Sequence, residues 1–350
     1  MGQSDLRSCL QAALQSSDSN LDRLTALMRA DPASAAQTVD SVRQRLELLR
    51  KLSPMLQTLC RSMLGWSDFP IDLVWRLWLP LAIDLFDQHN RVRRPVVQGI
   101  LGGQGTGKTT LAIVLSRILA EFGLSVCQLS IDDLYKTYGD RQRLQQQDPR
   151  LRWRGPPGTH DVDLGLEVLR LLRQGESANL PRFDKSAQGG AGDRCEPEFV
   201  ASADVILFEG WFVGARPIDS ARFETAPWPI VTAFDRAFAC DCNYRLQAYL
   251  PLWDLLDSLI VLAPIDFRFS LTWRQQAEQQ MKGSGRSGMS DAEVAEFVQY
   301  FWRSLHPDLF IQPLLQSQAD WAIALDAAHQ PASISRPRSA IASLNPERDR

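Results

Sequence analysis

No stretch of this sequence approaches the roughly 18 to 20 uninterrupted apolar residues that a membrane span requires. The nearest, Val205 to Val213, is cut by Glu209. The opening Met1-Gly2-Gln3-Ser4-Asp5 has no basic region followed by an apolar block, so no secretory leader is expected. Gly2 lacks the downstream Ser or Thr of a myristoylation signal. A dominant charge is also missing: the formal net charge is -3 over 350 residues, which carries no footprint of a nucleic-acid binder. Cysteine is sparse and scattered, at 9, 60, 127, 195, 240 and 242. Cys240-Asp241-Cys242 is the sole close pair, and with no second pair or nearby histidines it does not read as a zinc site. Reduced thiols in a cytoplasmic protein are the expectation.

What is present is a globular composition, 45% hydrophobic and 23% charged, enough to fill a core. Residues 1–94 read as a helical region: Leu21, Leu24 and Met28 fall at helical spacing, as do Val42, Leu46 and Leu49. Ser53 before Pro54 reads as a helix start. Ile71 to Phe86 reads as a buried helix whose Trp75 and Trp78 share a face directed at the core. From Pro95 the pattern changes to short apolar strands alternating with helices. Strands are expected near Val96–Leu101, Ser125–Ile131, Asp204–Phe208, Ser258–Leu262 and Trp321–Leu325. Helices are expected over Lys108–Phe122, Asp161–Arg173, Tyr244–Leu256, Arg268–Met281 and Asp291–Arg303. Such alternation implies an α/β domain over 95–330 with a parallel sheet covered on both faces. Segments 151–160 and 181–197, rich in Gly and Pro, read as long loops of the kind that carry function. Residues 331–350 read as a disordered tail.

Gly102-Gly103-Gln104-Gly105-Thr106-Gly107-Lys108-Thr109 matches G-x-x-x-x-G-K-[ST] in full, after an apolar strand and before a helical run that continues with Thr110. Glycines let main-chain N–H groups turn inward around phosphate oxygens, and the helix start adds unsatisfied donors and partial positive charge. Lys108 would reach the β and γ phosphates, and Thr109 would offer its hydroxyl to Mg²⁺. The motif therefore points to ATP and Mg²⁺. No N-K-x-D stretch for guanine recognition accompanies it.

Two strand ends add acids. The second expected strand ends Ser130-Ile131-Asp132-Asp133, at the sheet edge that faces a ligand crevice. A carboxylate there can take a proton from an attacking hydroxyl or help hold magnesium, so Asp132 and Asp133 divide a base and a metal role between them. The third strand, Asp204 to Phe208, runs into Glu209, a second candidate for magnesium. Arg268 and Arg274, at the start of a later helix, are candidates for a lid that neutralises charge in the transition state, with Arg274 in the catalytic set.

These residues resemble the D-glycerate 3-kinases of plants and cyanobacteria, in the broader group of uridine kinase, phosphoribulokinase and pantothenate kinase. The likeness runs from about residue 70 to 326. Besides the P-loop it rests on Ser130 to Tyr135, Arg154-Gly155-Pro156-Pro157-Gly158-Thr159-His160-Asp161, Pro181-Arg182-Phe183-Asp184-Lys185-Ser186, Gly192-Asp193-Arg194, Phe208 to Gly214, Trp273-Arg274 and Gly288 to Asp291. It implies a five-stranded parallel sheet of order 2-3-1-4-5 and a small-molecule acceptor, D-glycerate, phosphorylated to 3-phosphoglycerate. It aligns the family's base with Asp132. Because glycerate carries a carboxylate, a cation should meet it, and His160, Arg182, Lys185 and Arg194 are the candidates. Kinases of pantothenate, uridine or another sugar acid, and a nucleotide-driven regulatory switch, remain open alternatives.

Overall fold

A computed structural model describes residues 3–15, 21–29, 38–283 and 288–338. The chain divides into two compact units, Met1–Arg93 with Thr109–Val126, and Arg94–Lys108 with Cys127–Arg350.

In the first unit, helices Gln3–Gln15, Leu21–Arg29 and Val39–Ser62 are followed by a short helix, Ile71–Leu73, that passes through a π turn, Val74–Trp78, into Leu79–Val92. Leu24, Met28, Val42, Leu46 and Leu49 are buried there, so their helical spacing does mark the packed face, and Leu10 and Trp75 are fully buried in the same unit. Both Trp75 and Trp78 lie in the core as expected. The Arg45 guanidinium sits 5.1 Å from the centre of the Trp75 ring. One expectation fails: Pro54 does not open a new helix but lies inside Val39–Ser62. The Ser53 hydroxyl, which was to cap a new start by accepting from a later N–H, instead donates back to the Leu49 carbonyl at 2.5 Å within the continuous helix.

The second unit is built on a six-stranded sheet. Its strands are β1 (Val96–Gly102), β2 (Val126–Ser130), β5 (Val205–Gly210), β6 (Ser258–Pro264), β7 (Trp321–Leu325) and β8 (Pro331–Ser335). They lie in the order β2-β5-β1-β6-β7-β8. β1 pairs in parallel with β5 and β6, and β6 with β7. The five strands read from the sequence thus take the order 2-3-1-4-5, and all seven residues of β1 are buried, as a central parallel strand requires. The sixth strand is a correction. Pro331–Ser335, expected to begin a disordered tail, pairs antiparallel with β7. Its polar composition suits a solvated edge as well as a tail, so composition alone could not separate the two. Beyond this strand, the Arg338 N–H still donates to Ala319 O at 3.2 Å, and residues 339–350 of that expected tail lie outside the described residues.

The loop expected over 181–197 is largely a hairpin. β3 (Ala178–Asp184) pairs antiparallel with β4 (Asp193–Val200) in a two-stranded sheet of its own. The helix expected over Tyr244–Leu256 instead occupies Ala233–Arg245, followed by short turns to Trp253. A Thr232–Asp235 capping box fixes its true start. Among the described residues no helix is long and apolar enough to cross a membrane.

Candidate active site

β1 ends in the turn that holds the glycine-rich motif. Gly105 and Gly107 have φ of 78° and 84°, a left-handed backbone that side-chain-bearing residues rarely adopt. The Thr106 hydroxyl donates to Gly103 O at 2.9 Å and Lys108 Nζ to the same oxygen at 3.2 Å, which ties the turn to its own lysine. Gly102 is buried, and Gly103 and Gln104 are half-buried. Thr109 and Thr110 open the helix Lys108–Glu121. Lys108 Nζ stands 3.9 Å from Glu209 on β5, both side chains largely buried. Burial lowers the Lys108 pKa and raises that of Glu209, each opposed by the charge of the other. Asp132 and Lys185 act electrostatically on this pair as well.

The turn is also held from outside. A β-carbon added to Gly105 would stand 2.9 Å from Trp273 Cβ, so only glycine allows this approach. Trp273 stacks on His329 with ring centres 4.1 Å apart, and His329 Nδ1 lies 2.9 Å from Gly105 O. Trp273 belongs to a quoted motif, yet nothing in the sequence assigned it a role, and His329 was missed outright. The two arginines expected as a lid are engaged with carboxylates. Arg268 meets Asp266 at 2.5 Å, and Arg274 pairs with Glu278 one helical turn on.

The two adjacent acids after β2 have different partners. Ser130 caps a short turn, Ile131–Leu134, in a reciprocal box in which Asp133 Oδ2 accepts from the Ser130 N–H at 3.0 Å. The same oxygen takes Arg182 Nη1 at 3.0 Å. Asp133, expected to share in metal binding, is thus committed to local structure and to an ion pair. Asp132 points elsewhere: its Oδ1 accepts from the Tyr135 hydroxyl at 2.8 Å, and its Oδ2 lies 2.7 Å from Lys185 Nζ. Burial pushes the Asp132 carboxyl up, but Lys185, through its charge and hydrogen bond, and Tyr135 outweigh it and hold the pKa below the ordinary value. Burial, with Asp132 beside it, pushes the Tyr135 phenol well above its ordinary value, so the phenol stays protonated and donates.

Main-chain pairing brings the Gly155 to Asp161 block against this turn. Lys136 N–H donates to Thr159 O at 3.0 Å and Asp161 N–H to Leu134 O at 2.7 Å. His160 therefore stacks on Tyr135, ring centres 4.7 Å apart, and its Nδ1 lies 2.8 Å from the Tyr249 hydroxyl. Burial lowers the His160 pKa to about 3, so the ring is neutral, and its buried Nε2 has no hydrogen-bond partner. Of the other acceptor candidates, Arg194 bonds Asp161 at 2.9 Å and Tyr135 O at 3.0 Å. Arg182 is divided between Asp133 and Glu198. Lys185 is the candidate in direct contact with Asp132. Tyr135 and Tyr249 were not singled out by the sequence. Tyr135 sits inside a quoted block, whereas nothing local marks Tyr249.

Comparison with known proteins bears on the family and the fold. Residues 97–216 match the model of the phosphoribulokinase/uridine kinase family. The chain is 34% identical over 247 residues to the chloroplastic D-glycerate 3-kinase of Arabidopsis thaliana, covering 66% of this chain and 52% of that protein, about half its length. It is 35% identical over 222 residues to an uncharacterized kinase of Schizosaccharomyces pombe, covering 59% of this chain and 79% of that one. The solved D-glycerate 3-kinase of Cryptococcus neoformans superposes with a TM-score of 0.67 at 28% identity, covering 74% of this chain and 99% of that structure. With an intact glycine-rich turn, a β5 carboxylate against its lysine and a kinase relative 35% identical and covered over 79% of its length, the chain belongs to the phosphoribulokinase and uridine kinase family of P-loop kinases, among the relatives of D-glycerate 3-kinase.

Proposed function

We propose that the protein transfers the γ-phosphate of ATP to the 3-hydroxyl of D-glycerate, giving ADP and 3-phosphoglycerate. The observation that carries this reading is the Asp132–Lys185 pair at 2.7 Å: a carboxylate able to take a hydroxyl proton lies beside an ammonium able to meet a carboxylate. An acceptor with both groups on a short skeleton fits that pairing, and one sequence relative and one solved structure of similar fold bear the name of a kinase of such an acceptor.

The turn from Gly102 to Lys108 would bind the triphosphate through main-chain N–H groups and the Lys108 ammonium. Asp132 would accept the proton of the glycerate O3 as that oxygen attacks the γ-phosphorus. The β–γ bridging P–O bond breaks, and ADP departs with the bonding pair. His160 would offer its Nε2 to the acceptor as a neutral donor or acceptor. Arg194 and Arg182 would act indirectly, one fixing Tyr135 and the other fixing Asp133. Among the described residues there is no cluster of three or more His, Cys, Asp or Glu side chains that could hold a metal. Magnesium in kinases needs only one or two carboxylates besides phosphate oxygens and water. The buried Glu209 carboxylate, pushed up by its burial, is a hard oxygen ligand that a cation would stabilise, and it fits. Bound there, Mg²⁺ would offset charge on the β and γ oxygens.

Product identification tests the reading. Incubation with ATP, Mg²⁺ and D-glycerate should give a phosphomonoester whose phosphorus couples to the C3 protons in NMR. No turnover of D-glycerate alongside turnover of pantothenate or uridine would overturn it.

A further inference from the structure

The Asp132–Lys185 contact poses a difficulty for catalysis. An ammonium 2.7 Å from Oδ2 competes with the incoming hydroxyl for that oxygen and makes it a weaker base. The other oxygen, Oδ1, is held by Tyr135. Tyr135 is not free to leave: it is 4% exposed, stacked on His160, edge-on to Phe183 at 5.0 Å, and bonded through its carbonyl to Arg194. Lys185 is the opposite. Its side chain is 61% exposed, at the point where β3 ends. Its neighbours are pinned: Asp184 Oδ1 accepts from the Ser186 N–H at 2.8 Å, and Arg182 is anchored to Asp133 and Glu198. The backbone of this turn is therefore fixed while the lysine stem is free to swing. The lysine end of the pair is open to solvent whereas the Asp132 side chain is only 27% exposed, so a competing carboxylate can reach the ammonium from the solvent side without entering the base's own pocket.

We propose that Lys185 gates the base: it caps Asp132 Oδ2 until the carboxylate of an anionic acceptor draws the ammonium away, so that charge recognition and base release are one event. This rests on the function proposed above and adds a specificity device to it. A neutral alcohol or water has no charge with which to exchange partners and meets a capped base. The gate thereby suppresses ATP hydrolysis, in which a water oxygen would attack the γ-phosphorus, its proton pass to Asp132 and ADP leave. It also separates glycerate from glycerol, which shares the primary hydroxyl and lacks the carboxylate.

Lys185→Met keeps the length of the stem and removes the charge, at an exposed position where folding is not at risk. A simple binding lysine and a gate both predict weaker D-glycerate turnover. They differ without acceptor. The gate predicts that Lys185→Met hydrolyses ATP about tenfold faster than wild type and phosphorylates glycerol faster, a fraction of what a positioned base contributes. Lys185→Arg should keep both rates low. Acceptor-free hydrolysis and glycerol turnover at or below wild type in Lys185→Met would overturn the gate and leave Lys185 a binding contact, with the D-glycerate reading intact. The wild-type panel separates the two claims. Turnover of pantothenate, also anionic, without D-glycerate would overturn the substrate and move the same Lys185 comparison to pantothenate. Preference for neutral uridine would overturn both.

Discussion

The proposed phosphate cradle and the proposed acceptor corner are built in different ways. The cradle is one continuous run, Gly102 to Lys108, whose chemistry comes from main-chain direction and a single lysine, with Glu209 brought in from the neighbouring strand. The acceptor corner is assembled from Asp132 and Tyr135 after β2, His160 before a helix, Lys185 and Arg194 on a hairpin, and Tyr249 beyond the next strand. The cradle's lysine is largely buried, and a built side chain at Gly105 would strike Trp273. The corner holds one exposed charge, Lys185, and one buried tyrosine, Tyr135, against the same carboxylate. On the proposed function, a triphosphate common to a whole family is met by a local site, and an acceptor that distinguishes one member from another by a distributed one.

The largest effect should come from breaking the cradle. Lys108→Ala removes the charge that meets the phosphates, and kcat should fall about a thousandfold or more while ATP affinity falls with it. Steady-state ADP release and calorimetric nucleotide binding would show the double loss. Asp132→Asn should come next and look different. The rate should drop by about two to four orders of magnitude, with the Kd for ATP changed by less than about threefold. If ATP affinity collapsed as well, the border between the two regions would be drawn in the wrong place.

The same division explains what could be read from the sequence. The cradle, its strand and its helix form a local pattern; the alternation of strands and helices points to a parallel sheet, and the order 2-3-1-4-5 was legible only through the family resemblance. The hairpin β3–β4 was hidden because its residues, 178–200, carry Gly, Pro and charge instead of an apolar alternation. Most of β4 faces solvent, which removes the burial that would have written the period. Asp132 and Asp133 were told apart in the sequence only by the family resemblance. Their surroundings separate when Arg182, about fifty residues away in the chain, pairs with Asp133 and Lys185 with Asp132. Tyr249 was invisible because its hydroxyl acts on Gly158 and His160, two contacts that no spacing encodes.

Acid sensitivity should sit on the acceptor side. His160 titrates near 6.5 in an unfolded chain. Burial lowers that to about 3 in the folded protein. As the pH falls from 6.5 the unfolded chain takes up a proton that the native ring refuses, so this stability is present above 6.5 and is lost progressively towards 3. The slope approaches 1.36 kcal/mol per pH unit, or about 2 kcal/mol lost by pH 5. His160→Gln cannot titrate. Whatever its stability at neutral pH, its urea-unfolding free energy should fall less steeply between pH 6.5 and 5 than that of wild type. Parallel slopes would show that the ring accepts a proton in place and is not held neutral.

The smallest effect is expected of Tyr135→Phe, and it tests the corner most finely. The change removes one hydroxyl and keeps the ring that stacks on His160 and the carbonyl that meets Arg194. A hydrogen bond to a charged group is worth about 1.5 to 3 kcal/mol, so loss of orientation alone would slow the reaction by roughly ten- to a hundredfold. The missing donor also leaves Asp132 a stronger base, because a phenol bonded to the charged form lowers its proton affinity. The two consequences oppose each other, and the net loss in kcat should be about tenfold or less, with ATP affinity unchanged. A loss as deep as that of Asp132→Asn would place the phenol itself on the proton's path. No loss at all would mean that Oδ1 needs no holding, and then Lys185 alone decides where the Asp132 carboxylate points.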